Sequence, residues 1–206
     1  ALLLASCESW LDEDPQYTIN TKTQFSTVEN AKQALMGCYG YMSADNAYGQ
    51  AWQEVTFGYC GFGWSQTNGS STDLLVSMDG GIDETINTMA WRGMYKVIGE
   101  TNAFIANIAD SPLESADKLP MEAAARFLRA LAYYNLAVTY GDVPLKTTPS
   151  AHDGVAVPRS PKNEVFELVR TDWEFAYENL PEKDDDGFAT KWAAKAYLGK
   201  LYHTLG

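Results

Sequence analysis

Apolar residues recur every three or four positions through most of this chain, and each run is bounded by helix punctuation. Ser26-Thr27-Val28-Glu29 forms a capping box, with the Ser26 hydroxyl and the Glu29 carboxylate answering free backbone donors. Val28, Ala31, Leu35, Cys38, Tyr39 and Met42 then fall on one face of a helix. A second stripe runs through Trp91, Met94, Tyr95, Ile98, Asn102, Ile105 and Ile108, with Pro112 just past its end. A third spans about 121 to 140, with Ala124, Phe127, Leu128, Leu131, Tyr134 and Val138 in line. Tyr133, Leu136 and Tyr140 give that helix a second apolar face, as expected of an element packed between neighbours.

Gly141-Asp142-Val143-Pro144 ends the third helix, and Ser160-Pro161 predicts the start of the next, with Ser160 as N-cap and Pro161 in the first turn. Val165, Phe166, Val169, Trp173, Ala176, Tyr177 and Leu180 make its stripe, and Pro181 stops it. Thr190 is placed to cap a last helix carrying Ala193, Ala194, Tyr197, Leu198, Leu201 and Tyr202. The aromatics within these regular stripes, Trp91, Tyr95, Trp173 and Trp192 among them, are expected in the core. No strand-helix-strand alternation appears, which disfavours sheet-based enzyme folds. The fold class expected is mainly α: stacked helix pairs of the tetratricopeptide type, whose units bury their faces only against neighbours. The last helix reaches Gly206 without a capping unit, so further chain is expected beyond it.

Residues 43–84 break this pattern. Tyr48, Trp52, Phe57, Tyr59, Phe62 and Trp64 alternate irregularly with glycines, and neither helical nor strand periodicity persists. The segment is expected to be a long irregular loop with a short helix near Trp52, and long loops in compact domains tend to be functional. Sugar rings stack on aromatic faces while amides and carboxylates take their hydroxyls, so Trp52, Tyr59, Trp64, Asn68 and Asp73 are the candidate ligand residues. The alternative for Trp52 and Phe57 is that they pin the loop to the core.

The first seven residues change the picture of where the protein resides. Ala1-Leu2-Leu3-Leu4-Ala5-Ser6-Cys7 is a short apolar run closed by small residues, after which the chain turns acidic at Glu8, Asp12, Glu13 and Asp14. It is far too short to span a bilayer and has the form of the tail of a signal peptide. Leu4-Ala5-Ser6-Cys7 is similar to a bacterial lipobox, in which the new N-terminal cysteine carries diacylglycerol. Residues 1–6 are therefore expected to be a signal remnant, 7–25 a lipidated cysteine and polar tether, and 26–206 the helical domain. Several acyl chains hold a protein durably, at about 0.8 kcal/mol per buried methylene. Cys38 and Cys60 are expected to be free thiols, Cys38 on an apolar helix face.

The net charge of −12 opposes both nucleic acid and electrostatic docking on anionic lipid. Catalysis finds little footing: the acids lie in the leader, in Asp184-Asp185-Asp186 and singly on helix surfaces, and no nucleophile elbow or P-loop occurs. His152 and His203 are far apart, and no cofactor or metal motif is present. Glu182 to Gly187 has the first half of a calcium loop, but Ala193 stands where the closing acid is needed, which leaves a solvated turn.

Four segments together resemble the SusD/RagB family. They are the leader from Cys7 to Pro15 with Trp10-Leu11-Asp12, and Trp91-Arg92-Gly93-Met94-Tyr95-Lys96-Val97-Ile98 followed by Thr101-Asn102-Ala103. The third and most specific is Ala125-Arg126-Phe127-Leu128-Arg129-Ala130 with Tyr133-Tyr134-Asn135-Leu136 and Tyr140-Gly141-Asp142-Val143-Pro144-Leu145. The fourth runs from Val157-Pro158-Arg159-Ser160-Pro161 to Ala193-Ala194-Lys195-Ala196-Tyr197-Leu198. The resemblance covers essentially the whole chain, as the N-terminal portion of a longer family member. It implies a non-enzymatic, lipid-anchored outer-membrane protein exposed at the cell surface of a Gram-negative bacterium. Such proteins bind oligosaccharides, or in some branches peptides, and deliver them to a SusC-like TonB-dependent transporter. Asp73, in Ser71-Thr72-Asp73, resembles the Ser/Thr-Asp of many members. A helical-repeat scaffold for protein contacts is the alternative.

Overall fold

The computed structural model describes residues 21–58, 60, 77–78, 85–149 and 157–206. Its helices are α1 (Thr21–Gln24), α2 (Val28–Ser43), α3 (Ala51–Gly58), α4 (Thr85–Asp110), α5 (Ser115–Tyr140), α6 (Lys162–Asn179) and α7 (Lys191–Leu205). A π-helical turn, Asp45–Gly49, joins α2 to α3. Two short strands, β1 (Val143–Pro144) and β2 (Arg159–Ser160), pair antiparallel, Val143 opposite Ser160 and Pro144 opposite Arg159.

Helices α4 and α5 are 26 residues each and pack along one another across a short connection, so they run antiparallel. At 1.5 Å per residue each spans roughly 39 Å. α6 packs on α5 and α7 on α6, while α2 lies against α4 and α5. The result is the expected row of stacked helix pairs, with α5 as its centre. That position explains the two apolar faces of α5: Leu128, Ala130, Leu131, Ala132, Tyr133, Tyr134 and Leu136 are all buried.

The boundaries shift where caps were misassigned. Thr27, not Ser26, caps α2, its hydroxyl accepting from Asn30 N–H at 3.2 Å, while the Ser26 hydroxyl donates back to Thr23 C=O. α5 begins at Ser115 and continues through Pro120, which the sequence pattern had placed outside the helix. Pro161, not Ser160, is the residue before α6, and the cap comes from across the ladder: Asp142 Oδ1 accepts from Lys162 N–H at 2.8 Å. Ser160 is spent on β2. Thr190 precedes α7 but its side chain makes no capping bond. Gly141 closes α5 at φ 74°, a backbone that favours glycine, with its N–H on Ala137 C=O.

Not every stripe aromatic is core. Trp173 is fully buried, its indole N–H on Phe127 C=O at 3.3 Å. Trp91 and Tyr95 are half-buried. Trp192, at 51% exposure, is not core, because α7 is covered by α6 on one side only and the lysines 191 and 195 lie over its ring. Val138 and Tyr202 likewise face outward. Cys38 is a buried free thiol and Cys60 an exposed one. The acidic 182–187 segment is a turn organised by Asp184, whose Oδ1 accepts from the backbone N–H of Asp186 and Phe188, both at 2.9 Å.

Candidate ligand-binding groove

A buried polar network at the centre of the helix row sets the geometry. Arg129 on α5 donates to Asp172 on α6 through Nε (2.8 Å to Oδ2) and a terminal nitrogen (2.9 Å to Oδ1). This is the two-pronged pairing that suits a guanidinium to a carboxylate. Its remaining nitrogen donates to Asn102 Oδ1 on α4 at 2.9 Å. Asp172 is 0% and Arg129 5% exposed, so both charges are met inside the protein. Arg126, bonded to Glu122, adds a longer contact to Asp172 at 3.5 Å. One guanidinium thus ties three helices together.

The network reaches the surface through Asn102. With its oxygen held by Arg129, its Nδ2 points to the segment after β1, donating to Lys146 C=O at 3.0 Å and Thr148 C=O at 3.3 Å. Tyr133 grips the same segment: its hydroxyl donates to Lys146 C=O at 2.8 Å and accepts from Lys146 N–H at 2.6 Å. The Tyr95 hydroxyl donates to Pro144 C=O at 2.7 Å, and burial holds its ionisation far above the usual tyrosine range. Residues 144–148 are therefore fixed by three side chains from two helices.

Between this segment and α4 lies a groove of about 270 Å³. Trp91, Tyr95, Ile98, Gly99 and Asn102 form its helical side, and Pro144, Lys146, Thr148 and Val157 the other. The volume is near the lower end for small-molecule sites, roughly 300 Å³. Trp91 is wedged against Tyr95 (centroids 5.0 Å apart) and edge-on against Tyr140 (5.1 Å, 85°), so its ring is held in place. No carboxylate, histidine, cysteine or serine is among the lining residues that the structure describes. A second cleft of about 460 Å³ lies between Tyr41, Ala44 and Asn46 on one side and Arg92, Gly93 and Lys96 on the other.

The residues singled out from sequence are distributed differently. Trp52 is 6% exposed in α3, packed with Tyr48 at 6.4 Å between centroids, and serves to pin α3 to the core. Cys7, Tyr59, Trp64, Asn68 and Asp73 lie outside the described residues. Sequence reasoning missed the groove because its aromatics sat in a helical stripe and were assigned to packing. It missed Arg129 and Asp172 because a charged residue on a helix is ordinarily solvated. The available signal was local: Arg129 is flanked by Leu128, Ala130, Leu131 and Ala132 on a helix with two apolar faces, which leaves it no direction to water. Among the described residues, no three acidic, histidine or cysteine side chains converge as metal ligands. None of the helices among them is long and apolar enough to cross a membrane.

Comparison with known proteins agrees with this architecture. Residues 9–203 match the SusD-like family described as starch-binding and associating with the outer membrane. SusD-like protein P25 of Formosa agariphila is 25% identical over 96% of this chain and 40% of its own length. A SusD-like protein of Bacteroides ovatus is 29% identical over 98% of this chain and 37% of its own. The chain thus spans about two fifths of the length of the curated relatives it matches. Among solved structures, a SusD superfamily protein of Bacteroides thetaiotaomicron superposes with a TM-score of 0.75 at 25% identity, over 86% of this chain and 42% of that one. A structure with xylogluco-oligosaccharide gives 0.74 at 26% identity, over 84% and 34%. A laminarin-binding SusD-like protein shares the fold at 0.75 and 24% identity, over 86% and 40%. With its helix row, its central network and a family match over nearly all of its length, this chain belongs to the SusD-like family.

Proposed function

We propose that the protein captures oligosaccharides at the surface of a Gram-negative outer membrane and passes them to a SusC-like TonB-dependent transporter, without chemical change to the ligand. The observation that carries this reading is the family match over residues 9–203, whose description joins starch binding to the outer membrane. The 26% identical neighbour with xylogluco-oligosaccharide supports a glycan as the ligand class. In this reading Cys7 carries the lipid, the tether runs from residue 8 to residue 20 and gives way to α1 and the buried Phe25, and Tyr59, Trp64, Asn68 and Asp73 present stacking and hydrogen-bonding groups to the sugar. Trp52, being packed inside, holds α3 to the core.

A binding role also fits the chemistry on the described surface. Glycoside hydrolysis needs two carboxylates facing each other across the cleft, and among the described residues the groove beside α4 is lined by none. Asp172, the one fully buried carboxylate among the described residues, is committed to Arg129.

Calorimetric titration of the chain begun at Glu8 against neutral oligosaccharides and peptides tests the proposal. Saccharide binding that disappears in Trp64→Ala is the expected result. Binding of peptides alone would replace the ligand class, and binding of neither would reject ligand capture by this chain. Loss of palmitate incorporation in Cys7→Ala checks the anchor.

A protein-contact role has one observation in its favour, the outward face of α7, where Trp192, Tyr202 and Leu205 are each about half exposed. Such a face is a surface for other protein.

A further inference from the structure

This chain has 27 acidic residues against 15 lysines and arginines, yet among the described residues the groove between α4 and residues 144–148 is lined by a lysine and no acid. Half of the described lysines and arginines are ion-paired, among them Lys32 with Asp186, Lys96 with Glu100, Arg170 with Glu167 and Glu174, and Lys191 with Glu182. Lys146 differs. Its backbone is held on both sides by Tyr133 and Asn102, but its half-buried side chain makes no hydrogen bond or ion pair with the described residues. Arg159 stands opposite Pro144 in the β-ladder, close enough to the Tyr95 hydroxyl to act on it electrostatically, and its guanidinium is also without a hydrogen bond to the described residues. Lys146 thus lines the groove, and Arg159 stands beside it in the ladder, with neither ion-paired among the described residues.

The groove offers more than charge. Trp91 is locked by Tyr95 and Tyr140, and its indole N–H carries no hydrogen bond to the described residues. The Thr148 hydroxyl is likewise unused, and Ile98, Pro144 and Val157 complete an apolar surround. A fixed aromatic face with donors at its rim is the chemistry that receives a sugar ring. A cation that need not break an existing bond adds a charge-assisted hydrogen bond to a carboxylate. The opposite side needs no ordering on binding, because Tyr95, Tyr133 and Asn102 already hold it, and such preorganisation raises affinity.

We propose that this groove binds a uronate, a sugar ring bearing a carboxylate, with the ring beside Trp91 and the carboxylate on the Lys146 ammonium. The proposal rests on the carbohydrate reading above and adds to it the charge of the sugar and the place where that charge is read.

The test is titration of the chain begun at Glu8 with trimers of galacturonate, glucuronate and mannuronate, each beside the same trimer with its carboxyls reduced to alcohols. The Trp91 indole signal in ¹H–¹⁵N spectra, assigned with Trp91→Phe, reports the location. At least one acidic trimer is expected to shift that signal and bind roughly tenfold tighter than its reduced counterpart. Lys146→Met, which leaves every backbone bond of the segment in place, is expected to remove that advantage while the reduced trimer binds as before. Added salt should weaken the acidic trimer only. Equal affinity for acidic and reduced trimers, an unmoved Trp91 signal, or an unchanged advantage in Lys146→Met would overturn the proposal. If neutral oligosaccharides still bind and Trp64→Ala abolishes that binding, the broader glycan reading survives such a failure. If no saccharide of either kind binds, both fall.

Discussion

At the residue scale, the most consequential side chain is Arg129. Its guanidinium meets a fully buried carboxylate on one side and an amide on the other, so removing it strands Asp172 without its main partner. Arg129→Leu is expected to cost about 3–5 kcal/mol in urea unfolding. Arg129→Leu with Asp172→Leu should cost distinctly less, because neither charge is then left uncompensated; equal losses would show that the pair contributes through packing alone. Ionisable groups make a second residue-scale prediction. Burial pushes the Cys38 thiol up to about 12 from an ordinary 9.0, and the Tyr39 hydroxyl up to about 12 from 10.0. Below pH ~9 both stay protonated folded or unfolded, and their contribution is complete. Between about pH 9 and 12 the unfolded chain releases protons that the native chain keeps, so stability falls by on the order of a few kcal/mol. Urea midpoints measured across that range should decline, with a later onset in Cys38→Ala.

At the element scale, the tightest approach involves Gly93. A Cβ there would lie 1.8 Å from the carbonyl oxygen of Asn46, and that oxygen belongs to backbone that cannot step aside cheaply. Gly93→Ala should therefore push the 45–49 turn off α4 and cost roughly 3 kcal/mol, the upper end for overpacking. Gly37→Ala, on α2 with nothing near its Cβ position, should instead stabilise by roughly 0.5–1 kcal/mol. Thermal melts of the two variants, run side by side, provide the check. The same contrast shows what periodicity conveys and what it leaves out. Leu35, Cys38 and Met42 on α2, and Val165, Val169 and Trp173 on α6, are buried where their spacing placed them. The helix ends were less legible, since a cap is a hydrogen bond and its donor need not be local. Ser160 looked like the cap of α6, but Asp142, twenty positions before the Lys162 N–H it accepts from, supplies it. The groove was least legible of all, because it exists only where α4 meets the segment after β1, and nothing in Trp91's spacing separates a groove wall from a core position.

At the scale of the whole molecule, the helix row has an unequal finish. α5 is covered on both faces, whereas α7 buries only Ala194 and Leu201 fully and leaves Trp192, Tyr202 and Leu205 about half exposed. The chain begun at Glu8 is expected to self-associate through this face at micromolar concentrations. Trp192→Gln with Leu205→Gln should shift sedimentation toward monomer without lowering the melting temperature. Unchanged association would place the contact elsewhere. The aromatic excess that suggested either a core or a sugar surface is divided between the two sites of use: Tyr133 and Trp173 are sealed inside, while Trp91 and Tyr95 stand at the groove.

The contact between α2 and the far end of the chain bears on the order of assembly. The Tyr39 hydroxyl accepts from the Ala189 N–H at 2.8 Å, a bond that joins positions 150 residues apart, and its ring lies 5.2 Å from that of Phe188. Lys32 reaches Asp186 across a similar interval. α4, α5 and α6, by contrast, meet their neighbours in sequence, and contacts of short range form fastest. During synthesis or export, the α4–α6 portion can collapse before residues 186–189 emerge to meet α2. The side of α2 that carries Lys32 and Tyr39 is then completed after the side that lies on α4 and α5, and the body records the arrival of residues 186–189.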